Sequence, residues 1–257
     1  MKLWFSKYQA LGNDFLVVDL RVPQGGDNLS LSDFAKKYCS RNFGIGADGV
    51  LYLLPPSNDE FDFKMRIFNA DGSEAEMSGN GIRCLGQYVF DMQLKKSDQI
   101  VFETKAGKRV VQKSENGLKV DMGNPTILSD FKFEGLEGVR VDTGNPHIVF
   151  FGNFSREKFL DIGSRVSKEF NSNVEFANVI SVSEVNAWVW ERGVGETLAC
   201  GTGATAITKA GVEKGLLHKG QKVKIKFLGG ELYTIIQDYN VFIEGKANYV
   251  FSGYVDL

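Results

Sequence analysis

The sequence predicts a mixed α/β (α+β) protein of two pseudo-symmetric halves, each mainly antiparallel sheet wrapped around a central helix. Three observations predict it. Alternating apolar and polar residues, the period of a half-buried strand, dominate the chain. Helical periodicity is confined to four segments, and two glycine-rich runs that open helices recur in the same order in each half.

Taken along the chain, the first helix is expected over Leu31 to Arg41, after Ser30 as its cap, and the first clear strand over Phe61 to Phe68. A helix over Gly81 to Leu94 follows Ser78-Gly79-Asn80-Gly81, then strands over Gly107 to Lys113 and Leu118 to Met122. The turn Gly123-Asn124-Pro125 marks a boundary between halves of about 120 and 130 residues, within the usual domain range. Beyond it come a helix over Ser155 to Phe170, strands over Val174 to Val182 and Trp188 to Trp190, and a helix over Thr202 to Leu217 after Cys200-Gly201-Thr202-Gly203. The final stripe, Lys222 to Phe227, alternates lysine with Val and Ile as the wet face of an amphipathic strand does, and no function is assigned to it.

The echo between halves is one of spacing. Gly12-Asn13-Asp14 is answered by Gly144-Asn145-Pro146, and Ser78-Gly79-Asn80-Gly81 by Cys200-Gly201-Thr202-Gly203. Asn69 stands nine residues before Ser78 and Glu191 nine before Cys200.

Composition narrows the partners. The chain has 257 residues, 43% hydrophobic and 24% charged, with a net charge of −2, so no concentrated positive field points to nucleic acid or an anionic membrane. A small-molecule ligand is expected. Lys7 and Asp14 interrupt the opening apolar residues before a signal-peptide core forms, and no run of about 18 apolar residues is present. A cytoplasmic protein is expected. Three cysteines at unequal spacing, Cys39, Cys84 and Cys200, suit neither a disulfide framework nor a four-ligand zinc site, and reduced thiols are expected.

Chemistry concentrates at the glycine runs. A thiol at a helix N-terminus, as at Cys200, is expected to have a depressed pKa, and the free N–H groups beside it form an anion cradle. Ser78, read alone, is an N-cap. Asn13, Asn69, Asn145 and Asn178 are each flanked by apolar residues near these loops; each alone reads as a turn residue, and the four together suggest a ligand. Arg192 after Glu191 is either half of a surface ion pair or a carboxylate-binding guanidinium. His147 is one of two histidines, the other being His218, read as an ordinary exposed side chain.

The strings LGNDF (11–15), RNFGIGADGV (41–50), FNADGSEAEMSGNGIRC (68–84), TGNPHIVFF (143–151), NVEFANVI (173–180) and WERGVGETLACGTGATA (190–206) span most of the chain in order. In this the sequence resembles diaminopimelate epimerase. The resemblance implies an isomerase that interconverts LL- and meso-diaminopimelate without pyridoxal phosphate or metal, hence no cofactor, with two cysteines acting on opposite faces of the substrate α-carbon. It makes Cys200 one catalytic cysteine with Glu191 as its partner, and His147 the companion of the base from the other half. Gly79, Asn80, Gly201 and Thr202 would hold the reacting carboxylate. Asn13, Asn69, Asn145, Asn178, Glu191 and Arg192 would recognise the rest of the substrate. It further implies halves at 1–122 and 123–247 with the strand about 248–257 returning to the first, an active site in the cleft between them, a homodimer, and a role in lysine and peptidoglycan precursor synthesis.

One departure stands at the catalytic position. The family pattern reads Cys-Gly-Asn-Gly where this chain has Ser78-Gly79-Asn80-Gly81, so the first thiol is a hydroxyl, a far weaker acid. The reading favoured is a Cys-to-Ser variant of an otherwise normal epimerase, with low activity as written. The alternatives are an epimerase or racemase of another amino acid, a dehydratase-like relative, and, from a different class, a non-catalytic amino-acid-binding protein.

Overall fold

The computed structural model describes residues 2–22 and 30–257. The chain divides into two compact units, Met1–Val120 with Lys246–Leu257, and Asp121–Gly245.

In the first unit, β1 (Lys2–Ala10) pairs antiparallel with β2 (Asn13–Asp19), which runs parallel to β3 (Gly49–Leu54) after a crossover through α1 (Leu31–Tyr38). β3 pairs antiparallel with β4 (Phe63–Asn69), and β4 with the short β5 (Glu74–Ala75). After α2 (Gly79–Asp91) the chain adds β6 (Gln99–Thr104) parallel to β4, then β7 (Gly107–Ser114) and β8 (Gly117–Asp121) as a meander. The sheet is covered on both faces. Leu16, Val18, Val50 and Tyr52 pack with Phe34 and Tyr38 of α1, while Leu51 and Ile67 approach Gly81 of α2. This explains why β2 carries a continuous apolar run, Phe15 to Val18, rather than an alternation. α2 itself is buried nearly all round, as a helix inside a core must be.

In the second unit, β9 (Thr126–Phe133), β10 (Leu136–Asp142) and β11 (Pro146–Phe151) form antiparallel pairs, and α3 (Arg156–Phe170) carries the chain to β12 (Asn173–Ser181), parallel to β11. β13 (Glu184–Glu191) pairs with β12 and with β14 (Gly195–Thr197). α4 (Gly201–Glu213) then leads to β15 (Val223–Phe227), parallel to β13, and to β16 (Gly230–Gln237) and β17 (Asn240–Gly245). Every pairing of the first unit thus has its counterpart in the second. The strand answering β9 is β18 (Asn248–Asp256), which pairs antiparallel with β1 from the far end of the chain.

Three of the four helices, α1, α2 and α4, end sooner than periodicity predicts, whereas α3 ends at Phe170 as expected. α1 stops at Tyr38, whose carbonyl accepts from Ile45 and Gly46 N–H, instead of continuing to Arg41. α4 stops at Glu213 because Gly215, at φ +69°, turns the chain left-handed and the N–H groups of Leu216 and Leu217 both return to Gly211 O. Among the described residues no helix is long and apolar enough to cross a membrane.

The core between α3 and the sheet is aromatic: the Phe159 ring lies 5.6 Å from Phe176, 5.5 Å from Trp188 and 6.4 Å from Trp190, fully buried. Phe159→Ala should therefore cost about 3–5 kcal/mol of stability, measured by urea denaturation followed through tryptophan fluorescence.

Candidate active site

In the first unit, the chain leaves β4 at Asn69, turns through residues 70–73, and passes β5 to reach Ser78. Ser78 is extended (φ −142°, ψ 122°) and its Oγ accepts the Gly81 N–H at 3.0 Å, the geometry of an N-cap. The N–H groups of Gly79 and Asn80 begin the helix beside it. Arg83 folds back over this first turn, donating to Gly79 O at 3.1 Å and to Asn80 Oδ1 at 2.8 Å. Its guanidinium is wholly buried, its Nε has no acceptor, and burial pushes its pKa down to about 10, so it remains a cation at neutral pH. Asn80 Nδ2 donates to Asn13 Oδ1 at 3.3 Å, and Asn13 Nδ2 to Asp48 Oδ2 at 2.7 Å. Asn69 sits exposed across β3 from Gly49, its Nδ2 donating to Ser73 Oγ at 3.0 Å, and Ala70 N–H ties its loop to Asp48 O. Ser78, Gly79, Asn80 and Asn13 are thereby gathered at one helix end, with Asn69 joined to them through Asp48.

In the second unit, Cys200 repeats the cap. Its backbone is extended (φ −130°, ψ 121°), its Sγ accepts the Gly203 N–H at 3.3 Å and lies 3.2 Å from Thr202 Oγ1, and Gly201 and Thr202 begin α4 as Gly79 and Asn80 begin α2. The depressed thiol pKa expected from the helix terminus is reversed here. Burial, then the Glu191 and Glu175 carboxylates, push the thiol well above its ordinary value, outweighing the hydrogen bonds from Thr202 and Gly203. Glu191 ends β13 and accepts Thr197 Oγ1 at 2.5 Å.

His147, at the start of β11, is buried with Nδ1 2.7 Å from Glu175 Oε1. Its Nε2 lies 3.1 Å from Asn145 Oδ1, which also accepts Thr143 Oγ1 at 2.8 Å, and 3.4 Å from Asn173 Nδ2. Arg192 is exposed, its backbone N–H held by Asn173 Oδ1 at 2.9 Å. Cys200, Gly201, Thr202, His147, Asn145, Glu191 and Arg192 are thus linked around the start of α4.

Asn178 is not among them, which corrects the sequence expectation. It stands five residues beyond Asn173 on β12, about 16 Å along the strand, and an odd offset turns its side chain to the opposite face. There it lines a separate cavity with Gly152, Phe154, Phe176, Trp188 and Lys226. Asn173, which the sequence reading did not single out, lies beside His147 and Arg192. Glu175 and Arg83 were also missed. The available signal for Glu175 was a lone carboxylate inside the apolar strand sequence Val174-Glu175-Phe176-Ala177. Cys39 and Cys84 are free and buried, each pushed up to about 12 by burial. Among the described residues no group of three or more His, Cys, Asp or Glu side chains is arranged to hold a metal ion.

The family model described as diaminopimelate epimerase matches residues 5–128 and 139–250. The chain belongs to the diaminopimelate epimerase family. It is 40% identical over 284 residues to a diaminopimelate epimerase of Methanococcus maripaludis, covering 98% of this chain and 99% of that protein. With a diaminopimelate epimerase of Carboxydothermus hydrogenoformans it shares 39% identity over 272 residues, 97% of this chain and 98% of the other. The family is one of isomerases. In fold the chain is similar to a phenazine biosynthesis protein of the PhzF family from Bacillus anthracis (TM-score 0.77, 16% identity, all of both chains). It is likewise similar to a hydroxyproline epimerase from Agrobacterium vitis (TM-score 0.76, 15% identity, 99% and 91% of the two chains).

Within each unit a glycine two residues into the family's helix lets it close on the sheet. A Cβ on Gly203 would stand 2.7 Å from Glu175 Oε1, and one on Gly81 3.1 Å from Leu51 Cδ2. Gly203→Ala is therefore expected to cost about 1–3 kcal/mol, and Gly81→Ala less, because a leucine methyl can yield where a buried hydrogen-bonded carboxylate cannot; thermal denaturation of the two variants compares them.

Proposed function

We propose that the chain carries the fold and site of an enzyme interconverting LL- and meso-diaminopimelate by proton transfer at Cα, with one of its two acid/base groups reduced to a hydroxyl. The observation that carries this reading is the repeated cap. Two helices begin with the same backbone geometry and the same Xaa-Gly-Xaa-Gly spacing, one capped by the Cys200 thiol and the other by the Ser78 hydroxyl. In the proposed step a base at one position takes the α-proton, the electron pair moves into the adjacent carboxylate, and an acid at the other returns a proton to the opposite face. The N–H groups of Gly79, Asn80, Gly201 and Thr202 are the donors for the charge that develops on that carboxylate.

His147, fixed by Glu175 with Nε2 turned away from the carboxylate, and Glu191, beside Cys200, are placed to pass protons to and from these groups. Asn13, Asn69, Asn145 and Arg192 are assigned to the distal amino-acid centre, where a guanidinium selects for a second carboxylate. Asn173 joins them through its bond to Arg192, and Asn178 is left out. The chemistry proposed uses side chains and backbone N–H groups only. A cytoplasmic role in lysine and peptidoglycan precursor synthesis follows from the same reading.

The decisive comparison is this chain against Ser78→Cys, following LL-to-meso conversion and solvent deuterium entry at Cα by NMR. Ser78→Cys should raise epimerisation by about 10²–10⁴-fold, the usual contribution of a positioned acid or base. Absence of α-proton exchange in both proteins would reject the diaminopimelate reading in favour of an amino-acid-binding protein or another substrate.

A homodimer is proposed as well, supported by exposed aromatic residues on the β1–β18 pair, Trp4, Tyr249, Phe251 and Tyr254. Sedimentation equilibrium should give twice the mass of one chain, and Tyr254→Lys should lower it towards one.

A further inference from the structure

Against the first turn of each capped helix lies a buried titratable side chain to which the two-base chemistry assigns no step, basic in one unit and acidic in the other. The repeat makes the comparison residue by residue. Phe15 pairs with Gly49 between β2 and β3, as His147 pairs with Asn173 between β11 and β12, so Leu51 in the first unit corresponds to Glu175 in the second. Contacts agree: Leu51 is what a Cβ on Gly81 would meet, and Glu175 is what a Cβ on Gly203 would meet. Likewise Arg83 stands five residues after Ser78 and Thr205 five after Cys200. Arg83 donates to Gly79 O at 3.1 Å as Thr205 Oγ1 donates to Gly201 O at 3.0 Å. Unit 1 therefore holds a buried cation where unit 2 has a neutral hydroxyl, and unit 2 a buried carboxyl group where unit 1 has a methyl group.

Each of the two side chains is buried with an incomplete set of partners. Glu175 is fully buried, with Oε1 on His147 and Oε2 without a donor, and Arg83 is fully buried with Nε without an acceptor and only neutral oxygens on its other nitrogens. A cation at the positive end of a helix is placed against the helix dipole as well. Such an arrangement is costly for stability alone, so a functional reason is called for. The charged groups acting on Cys200 are Glu175 and Glu191, with His147 bonded to the first. Reached from Asn80 through Asn13, the cluster of Lys7 and Arg41 with Asp14 and Asp48 contains two of each sign.

We propose that Glu175 and Arg83 are positioning residues that give the two acid/base positions opposite resting charge: Glu175 holds Cys200 as the proton-bearing thiol, and Arg83 favours the anion at position 78. This rests on the two-base reading above. It also means that a serine at position 78 removes the group whose surroundings suit the anion and leaves the one whose surroundings oppose it.

The test titrates the cysteine Cβ resonances of the whole protein by carbon-13 NMR, with the Cys39 and Cys84 signals assigned through Cys39→Ser and Cys84→Ser. Cys200 should show a midpoint above the usual thiol value of about 8.5. Glu175→Gln, which keeps the bond to His147, and Glu175→Leu, which borrows the residue of the first unit, should each lower it by about one pH unit or more. In Ser78→Cys the new thiol should titrate below Cys200, and Arg83→Met should raise it. An unchanged Cys200 midpoint in either folded Glu175 variant, or a Cys at position 78 that titrates at or above Cys200, would overturn the proposal. Because no substrate enters this measurement, failure of Ser78→Cys to epimerise diaminopimelate would count against the functional reading alone.

Discussion

The structure depends on how the starts of α2 and α4 are met. The first turn of a helix presents N–H groups that have no partner within the helix, and burying them requires acceptors or a ligand. In both units one N–H is taken by the cap residue, and the glycine that donates it presses the same first turn against a strand. At Gly203 even a methyl group would collide with the strand, and at Gly81 it would fit only if Leu51 gave way. The remaining N–H groups, on residues 79–80 and 201–202, are thereby fixed in direction by the packing of the whole unit rather than by their own loop. This is why the second and third residues of each glycine run belong to both the core and the site.

Charge distinguishes the two starts that packing makes alike. A thiol at a helix terminus is ordinarily the more acidic for it, yet at Cys200 burial and two carboxylates outweigh the helix. The contest is decided by distance and medium: a dipole end equivalent to about half a charge competes with full charges in surroundings that screen them little. His147 takes part through its bond to Glu175, which orients the ring.

Much of the fold was legible because both periods are local. The strands expected at Phe61 to Phe68, Gly107 to Lys113 and Lys222 to Phe227 appear as β4, β7 and β15, and each of the four helices lies where its periodicity falls. The helix ends were less legible, since they are set by where a carbonyl such as Tyr38 O finds other donors. In the site, the capped glycine runs could be read from sequence because cap and loop are contiguous. Asn173 could not, because its place beside His147 comes from the register of two parallel strands separated by α3. The error at Asn178 has the same root: flanking apolar residues identify a strand, but only the face and depth along it decide what the amide meets.

The origin of β18 has a consequence for how the molecule is made. Unit 2 is a continuous stretch, Asp121–Gly245, whereas the outer neighbour of β1 is a strand that leaves the ribosome only after all of unit 2. Through that interval the edge of β1 has no strand beside it, and Lys2 must find Asp256 across nearly the whole length of the chain. Completion of the first half is thus tied to completion of the second, so a chain interrupted during translation displays an open sheet edge that distinguishes it from a finished one.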